Sequence, residues 1–192
     1  MPLVVRPMTP GDADIVARLH ARSWQSAYRG IFDDRFLDGP VVSERLAAWR
    51  GRMSQAPDAE FGFLALADGE PAGFIRLQVA ADPAWGTLLD NLHVLPAHRS
   101  AGVGRQLIAA GMRECVARQR QGDGVWLWVY DANMGARQVY AHLGGREVEQ
   151  REEVAADGRR LAKWRVAWAS ANALLARVSE PARGRLGLAD PV

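Results

Sequence analysis

The stretch from Leu88 to Leu107 constrains this chain more than any other. It reads Leu-Leu-Asp-Asn-Leu-His-Val-Leu-Pro and continues Ala-His-Arg-Ser-Ala-Gly-Val-Gly-Arg-Gln-Leu. The run Leu88 to Val94 predicts a buried strand, stopped by Pro96, which has no N–H to give a sheet ladder. A turn carrying Arg99, Gly102 and Gly104 follows, then a helix. Val103, Leu107, Ile108, Met112, Cys115 and Val116 fall on one helical stripe, with Arg105, Gln106, Arg113 and Glu114 facing away. Such a junction turns several backbone N–H groups toward one point at the positive end of a helix, which suits a phosphate or pyrophosphate. The glycines let the backbone approach that anion with no Cβ in the way. Taken alone, a Gly-x-Gly between strand and helix fits a plain tight connection equally well.

Two commoner phosphate motifs are excluded. A dinucleotide fingerprint needs Gly-x-Gly-x-x-Gly and an acidic residue about twenty positions on; a P-loop needs Gly-Lys-Ser/Thr at its end. With 192 residues the chain is one domain, or one domain and a tail, and long enough for a proper core. A net charge of +2 is too small to imply nucleic acid. Lysine is nearly absent, Lys163 standing against 23 arginines (24 basic residues less one), which resembles a coding bias more than a function. The single cysteine, Cys115, excludes an internal disulfide and lies on the apolar stripe, where a buried structural thiol is expected. His20, His93, His98 and His142 share no metal-ligand spacing, so no metal is expected. No apolar run reaches signal-peptide or membrane-spanning form, so the chain reads as cytoplasmic, without a membrane partner.

Around the central stretch the elements follow in order. Leu3 to Met8 is a short strand; Thr9-Pro10-Gly11-Asp12 then announces a helix, with Thr at the N-cap and Pro at the first position. Ile15, Val16, Leu19 and Trp24 give that helix an apolar face. The aromatic turn Tyr28 to Phe32 leads to a second helix around Val42 to Met53. Phe61 to Ala67 and Gly73 to Val79 form a hairpin about Asp68-Gly69. A second turn, Ala81 to Gly86, delivers the chain into the Leu88 strand. Gly122-Asp123-Gly124 ends the long helix, and Val125 to Val129 is a strand entered by a helical crossover, hence parallel to the Leu88 strand. A helix from Asn133 as N-cap to Leu143 stops at Gly144. Arg146 to Val154 and Arg160 to Trp168 make a last hairpin. Residues 1–168 therefore read as one α/β domain and 169–192 as a tail, helical over Ala171 to Val178 and partly disordered.

Val94-x-Pro96-x-x-Arg99-x-x-Gly102-Val103-Gly104-x-x-Leu107 resembles the acetyl-CoA pyrophosphate loop of the GNAT superfamily of N-acyltransferases, whose core is Arg/Gln-x-x-Gly-x-Gly/Ala. Ser100 and Ala101 stand where many members carry Gly and a basic residue, which removes one cationic phosphate contact. Arg-Pro-x-Thr-x-x-Asp followed by Ser-Trp-x-x-x-Tyr-x-Gly-Ile resembles the family's first strand and helix pair, and Asn133-x-x-Ala136-x-x-x-Tyr140-x-x-x-Gly144 resembles its second signature helix. The resemblance covers about residues 3 to 168. It implies a mixed sheet of about seven strands with a splayed parallel pair in the middle and about four helices. It also implies acetyl-CoA as co-substrate and no metal. Its pyrophosphate would lie on Arg99, Ser100, Ala101, Gly102, Val103, Gly104 and Arg105. The backbone of Leu92, His93 and Val94 would meet the thioester and pantetheine. The family usually carries an aromatic at position 145; Gly145 implies a less packed start to the last hairpin.

The residue types of the second helix have a chemical reason. Positions i, i+3 and i+7 share one helical face, so Asn133, Ala136 and Tyr140 point together. Ala136 leaves room for a thin pantetheine arm, Asn133 can bond an amide of it, and Tyr140 presents a phenol able to protonate a leaving thiolate. The same residues also suit a capping Asn and a core Tyr. Asp90 is the candidate general base, although a hydrogen bond to loop backbone accounts for an acid in a buried strand as well; the glutamate some members carry two positions earlier is Leu88 here. Trp24, Tyr28, Phe32 and Trp85 are expected to wall an acceptor pocket, or to fill core. The acids on those segments, Asp33, Asp34 and Asp82, are too scattered for a polyamine. The expected activity is acetyl transfer from acetyl-CoA to a small-molecule amine or protein N-terminus by direct attack, by a monomer or homodimer. The rivals are a non-catalytic acyl-CoA sensor or scaffold of the same fold, and a different α/β enzyme holding another phosphate ligand.

Overall fold

The computed structural model describes residues 2–55, 57–118 and 124–180. Its first half contains β1 (Leu3–Pro7), α1 (Ala13–Ala27), α2 (Asp34–Asp38), α3 (Val41–Ser54), β2 (Glu60–Ala67), β3 (Glu70–Asp82) and β4 (Gly86–Val94). Then come α4 (Val103–Arg118), β5 (Val125–Tyr130), α5 (Met134–His142), β6 (Arg146–Val154), β7 (Arg160–Trp168) and α6 (Ala171–Ser179). The strands form one sheet in the order β1-β2-β3-β4-β5-β7-β6, in which only β4 and β5 run parallel. A mixed α/β fold about a central parallel pair is thus the architecture the sequence implies. Of the expected Gly122-Asp123-Gly124 break, the first two residues lie outside the described residues, as does the tail beyond Glu180.

At the first helix entrance, Asp12 accepts bonds from the backbone N–H of Thr9 (2.8 Å) and its hydroxyl (2.9 Å), and from Arg6 at 2.6 and 2.9 Å. The Arg6 guanidinium holds the Asp12 carboxyl well below the usual carboxylate range. Besides the four helices that the resemblance implies, the described residues hold α2 and, over the stretch expected to be helical from Ala171 to Val178, α6. The five-residue α2 forms because Asp33 caps it, accepting from Arg35 N–H at 2.7 Å. The α6 helix buries Ala171, Leu174 and Val178 in the same core as α4; Leu174 and Val178 together contribute roughly 3–6 kcal/mol by leaving water. No helix among the described residues is long and apolar enough to cross a membrane.

One sheet face carries α4, whose Val103, Leu107, Ile108, Met112 and Cys115 pack against Ile75, Leu77, Leu92 and Leu127. Val116, expected on that stripe, is 41% exposed. It lies about 100° of helical turn beyond Cys115, past the edge of the apolar face. The opposite face carries α1 and α3, where Val16, Leu19 and Trp49 pack on Leu64, Phe74 and Leu95. The α5 helix ends at Gly144, whose φ of +82° is the left-handed conformation a glycine stop supplies. Gly145 is the reverse of a gap: a Cβ there would lie 2.6 Å from Val166 Cγ1 and 2.7 Å from Trp168 Cζ2. The volume an aromatic at 145 would fill is taken by those two side chains, so the hairpin start is tightly packed.

Two departures from regular sheet geometry position the site. β4 and β5 pair only at Thr87↔Val125 and Leu88↔Trp126 and then part, while β4 stays with β3 to Val94 and β5 with β7 to Tyr130. Further, the β3–β4 register slips between Leu77↔Leu89 and Arg76↔Asn91, which leaves Asp90 as the extra residue of a bulge. A bulge changes which residues share a face. Leu89 and Leu92 therefore both enter the α4 core, and Asp90 pairs with Arg76 instead of sharing the face of Leu92 as strict alternation implied.

Candidate functional site

Where β4 and β5 part, a cavity of about 370 Å³ opens. Leu89 to His93 form one wall and Leu127 to Tyr130 the other. Asn133, Ala136 and Tyr140 close it from α5; His20, Trp24 and Tyr28 of α1 and Arg45 and Arg52 of α3 close it from the opposite sheet face; Glu153 and Lys163 complete it. The cavity therefore passes between the strands from one face of the sheet to the other.

The glycine turn follows directly from the end of β4. Arg99 Nε lies 3.4 Å from Val94 O and ties the turn back to that strand. Ser100 has φ +61° and Gly102 φ +80°, so the position where many family members carry glycine is left-handed here although a serine fills it. A Cβ on Gly102 would meet nothing within 4 Å. The backbone N–H groups of Val103, Gly104 and Arg105 open α4 and by position have no intrahelical acceptor. The Arg105 side chain is engaged elsewhere, with Nη2 donating to Val178 O at 2.9 Å and also to Glu180 O, so it holds the end of α6 and leaves only its backbone at the turn.

Asn133 caps α5, its Oδ1 accepting from Ala136 N–H at 3.2 Å, and Asn133, Ala136 and Tyr140 all line the cavity as their shared face requires. Tyr140 is buried, packs edge-on against Trp168 at 6.0 Å, and makes no side-chain hydrogen bond among the described residues. Burial raises its pKa, so the phenol keeps its proton at neutral pH. Cys115 is buried and its thiol is pushed up to about 12 by desolvation, the state of a structural thiol.

His93 is buried, with Nδ1 3.0 Å from Ser23 Oγ, and burial pushes its pKa down to about 3, with Arg45 and Arg99 adding to the shift. His20 accepts at Nδ1 from Trp49 Nε1–H (2.9 Å). Indole only donates, so the neutral His20 ring must carry its proton on Nε2; burial lowers its pKa well below the ordinary value. Both imidazoles are therefore uncharged at pH 7, and the unfolded chain takes up protons that the folded chain refuses. For His93 this window runs from the ordinary 6.5 down to about 3, so stability falls as pH drops through it. By pH 5 the loss is about 2 kcal/mol, with His20 acting in the same direction. Urea unfolding at pH 7 and pH 5 should show at least that difference, and His93→Gln should remove about 2 kcal/mol of it. An unchanged pH dependence in the variant would place the acid sensitivity elsewhere.

The aromatic residues divide. Trp24 and Tyr28 line the cavity, whereas Phe32 is 2% exposed and packs on Tyr130 at 5.4 Å as core. Trp85 is not at the cavity; it stands at the closed end of the splay, before β4 pairs with β5, and stacks on the Arg165 guanidinium at 4.9 Å. Asp33, Asp34 and Asp82 do not line it either. Four charged cavity residues escaped the sequence reading: Arg45, Arg52, Glu153 and Lys163. Arg45 and Arg52 stand seven apart on α3, a spacing that places them on one face, but arginines on a helix ordinarily mark solvent. Lys163, the one lysine in an arginine-rich chain, was the better signal. Its ammonium pairs with Glu153, which also accepts from Tyr130 Oη at 3.0 Å, and burial lowers the Lys163 pKa.

A glycine turn at a helix start and a second helix facing a splayed parallel pair are the features that the resemblance to the GNAT superfamily implies. The GNAT acetyltransferase family model matches residues 21–144, so the chain belongs to the GNAT family. It is 37% identical over 99 residues to a mycothiol acetyltransferase of Actinosynnema mirum, a match covering 52% of this chain and 32% of that protein. The chain thus spans about a third of that relative's length. Among solved structures it resembles the PaiA N-acetyltransferase of Thermoplasma acidophilum in complex with coenzyme A (TM-score 0.69, 17% identity, 87% of this chain and 98% of the other). It also resembles YncA, a putative acetyltransferase of Salmonella typhimurium with acetyl-CoA (TM-score 0.60, 17% identity, 97% and 99%). At such identity the two structures speak for the fold.

Proposed function

We propose that this protein transfers an acetyl group from acetyl-CoA to an amine by direct attack. The observation that carries this reading is the splay. The Asn133-Ala136-Tyr140 face lines the gap where β4 loses its β5 partner after Leu88, and the glycine turn continues the chain from the far end of that unpaired stretch of β4. The fit to acetyl-CoA rests on three features of the chain. Gly102 leaves open space in front of the α4 N-terminus, where N–H groups and the helix dipole favour a pyrophosphate. Ala136 and the Asn133 amide suit a narrow pantetheine arm, and the free edge of β4 offers peptide groups to its amides. Acetyl-CoA supplies the acetyl group as a thioester. A backbone N–H near Val94 would polarise the thioester carbonyl, a contribution of a few kcal/mol. The Tyr140 hydroxyl, protonated and without a side-chain hydrogen bond among the described residues, donates toward the departing sulfur.

A non-catalytic acyl-CoA binder of the same fold remains as a second reading because Asp90 is already engaged. Its carboxylate is bonded to Arg76, which also reaches Glu60, and Arg52 stands 4.0 Å away. Arg76 thus holds Asp90 Oδ2 in a charge-assisted bond that taking up a substrate proton would have to give up. Asp90→Asn should therefore leave the pH–rate profile with its wild-type apparent pKa and plateau, and cost about 1–2 kcal/mol of stability through the weakened pair with Arg76. A lost or shifted ascending limb would restore Asp90 as the base. The decisive assay incubates the protein with acetyl-CoA and a panel of amines and measures acetylated product by mass spectrometry. Products support the enzyme; tight retention on immobilised CoA without any product supports the binder.

A further inference from the structure

The residue choices around the cavity set its polar groups apart from the rest of the chain. All three tyrosines of the sequence, Tyr28, Tyr130 and Tyr140, line it, and none of the five phenylalanines does. Aromatic packing elsewhere needs no hydroxyl, so the hydroxyls are kept for this space. Tyr28 interacts electrostatically with Tyr140, Tyr130 and Glu153 alike, which puts these four groups around one chamber.

Lysine is equally selective. Away from the cavity, the β6–β7 hairpin carries the cross-strand ion pairs Glu149–Arg165 and Glu152–Arg160. At the cavity the cation is instead Lys163, facing Glu153. A guanidinium fork can cover both oxygens of a carboxylate, whereas an ammonium is a point charge. Lys163 Nζ holds Oε2 of Glu153 and leaves Oε1 to the Tyr130 hydroxyl, which donates at 3.0 Å. A carboxylate offers about four lone-pair sites, of which these bonds use two, and the Glu153 side chain is still 32% exposed.

Asp90, the other acid that lines the cavity, is less able to take a proton. It and Glu60 stand against Arg76 and Arg52. Protonating Asp90 would leave two guanidiniums to one carboxylate, and arginine cannot shed its charge. Glu153 faces a lysine, which can, and burial already favours the uncharged form of that amine.

We propose that Glu153 is the base that takes the proton from the acceptor nitrogen, with the Tyr130 hydroxyl and the Lys163 ammonium as positioning residues that fix its carboxylate. This rests on the reading of the cavity as the acceptor site of acetyl transfer. The nitrogen lone pair forms the bond to the acetyl carbon, and the C–S bond breaks with its electrons on sulfur. One N–H proton passes to Glu153 and the Tyr140 proton to sulfur; solvent then takes the first and replaces the second. An acceptor that arrives as an ammonium loses its extra proton to solvent by the same carboxylate.

The test uses the full chain, acetyl-CoA and the amine that it acetylates fastest. Glu153→Gln should lower kcat about a hundredfold, with CoA affinity by calorimetry unchanged. Tyr130→Phe and Lys163→Met keep the carboxylate, the second breaking the same ion pair from its other side, and each should lose only about tenfold. Added formate should restore at least about tenfold in Glu153→Ala, where a free carboxylate replaces the missing base, and should not accelerate the other two. Melting curves control for folding. Should Glu153→Gln unfold by leaving Lys163 without its carboxylate, the double variant Glu153→Gln, Lys163→Met removes both charges and is assayed in its place, with the same expected loss. Wild-type turnover in Glu153→Gln, equal losses in Glu153→Gln and Lys163→Met, or a formate effect that is absent or common to all variants overturns the proposal and makes the pair structural. Failure of acetyl transfer itself looks different: the wild-type protein would make no product with any amine, and the base would fall with it.

Discussion

Tyr140→Phe should lower turnover about a hundredfold, roughly 2.7 kcal/mol of transition-state stabilisation, while the Michaelis constant for acetyl-CoA changes little. The substitution is unusually clean here. The Tyr140 ring is buried against Trp168 in an edge-on contact that Phe reproduces, and among the described residues the hydroxyl has no side-chain hydrogen bond to lose. Thermal stability should therefore stay within about 0.5 kcal/mol of wild type. A drop in turnover without a drop in stability isolates a hydrogen that matters only as negative charge gathers on the leaving sulfur. Because burial raises the phenol's pKa, the hydroxyl stays protonated through the assay range, and the rate should show no descending limb up to about pH 9. Turnover equal to wild type, measured with chemistry rate-limiting, would return Tyr140 to the core.

Much of this architecture was legible because it rests on local chemistry. The Leu88–Val94 run, Pro96 and the two glycines describe a strand, a stop and a turn without reference to anything distant. Asn133 and Gly144 bracket α5 by the capping rules that the structure realises, Oδ1 to the Ala136 N–H at one end and a left-handed glycine at the other. The parallel pairing of β4 and β5 followed from the helix between them. Illegible features depended on register or on residues far apart in sequence. The bulge at Asp90 reverses face parity over a single residue, and nothing in Leu-Leu-Asp-Asn-Leu announces it. Trp85 was placed by its chain proximity to β4; the splay opens at the other end of that strand, so proximity misled. Arg52 reaches the cavity only because α3 packs across α1 on the sheet face that carries Phe74. The Lys163–Glu153 pair joins two strands of a hairpin whose charged residues otherwise read as an exposed edge.

Gly102→Ala should weaken CoA binding at least tenfold, about 1.4 kcal/mol, in a protein that still folds. The free protein has room for the methyl group, since nothing stands within 4 Å of the new Cβ. What the substitution costs the fold is conformational: φ at Gly102 is +80°, a region where an L side chain loses about 1–2 kcal/mol. The same open space, however, lies at the start of α4, where the N–H groups must come close to an anion for the helix end to hold it. A methyl there keeps a phosphate oxygen from hydrogen-bonding distance. Gly69→Ala is the matched control, because Gly69 has φ +86° and equally open surroundings in the β2–β3 turn. Both variants should lose similar stability in urea, but only Gly102→Ala should lose CoA affinity by calorimetry. Equal, wild-type affinity in the two would remove the pyrophosphate from this turn, and with it the orientation of acetyl-CoA along the β4–β5 cleft.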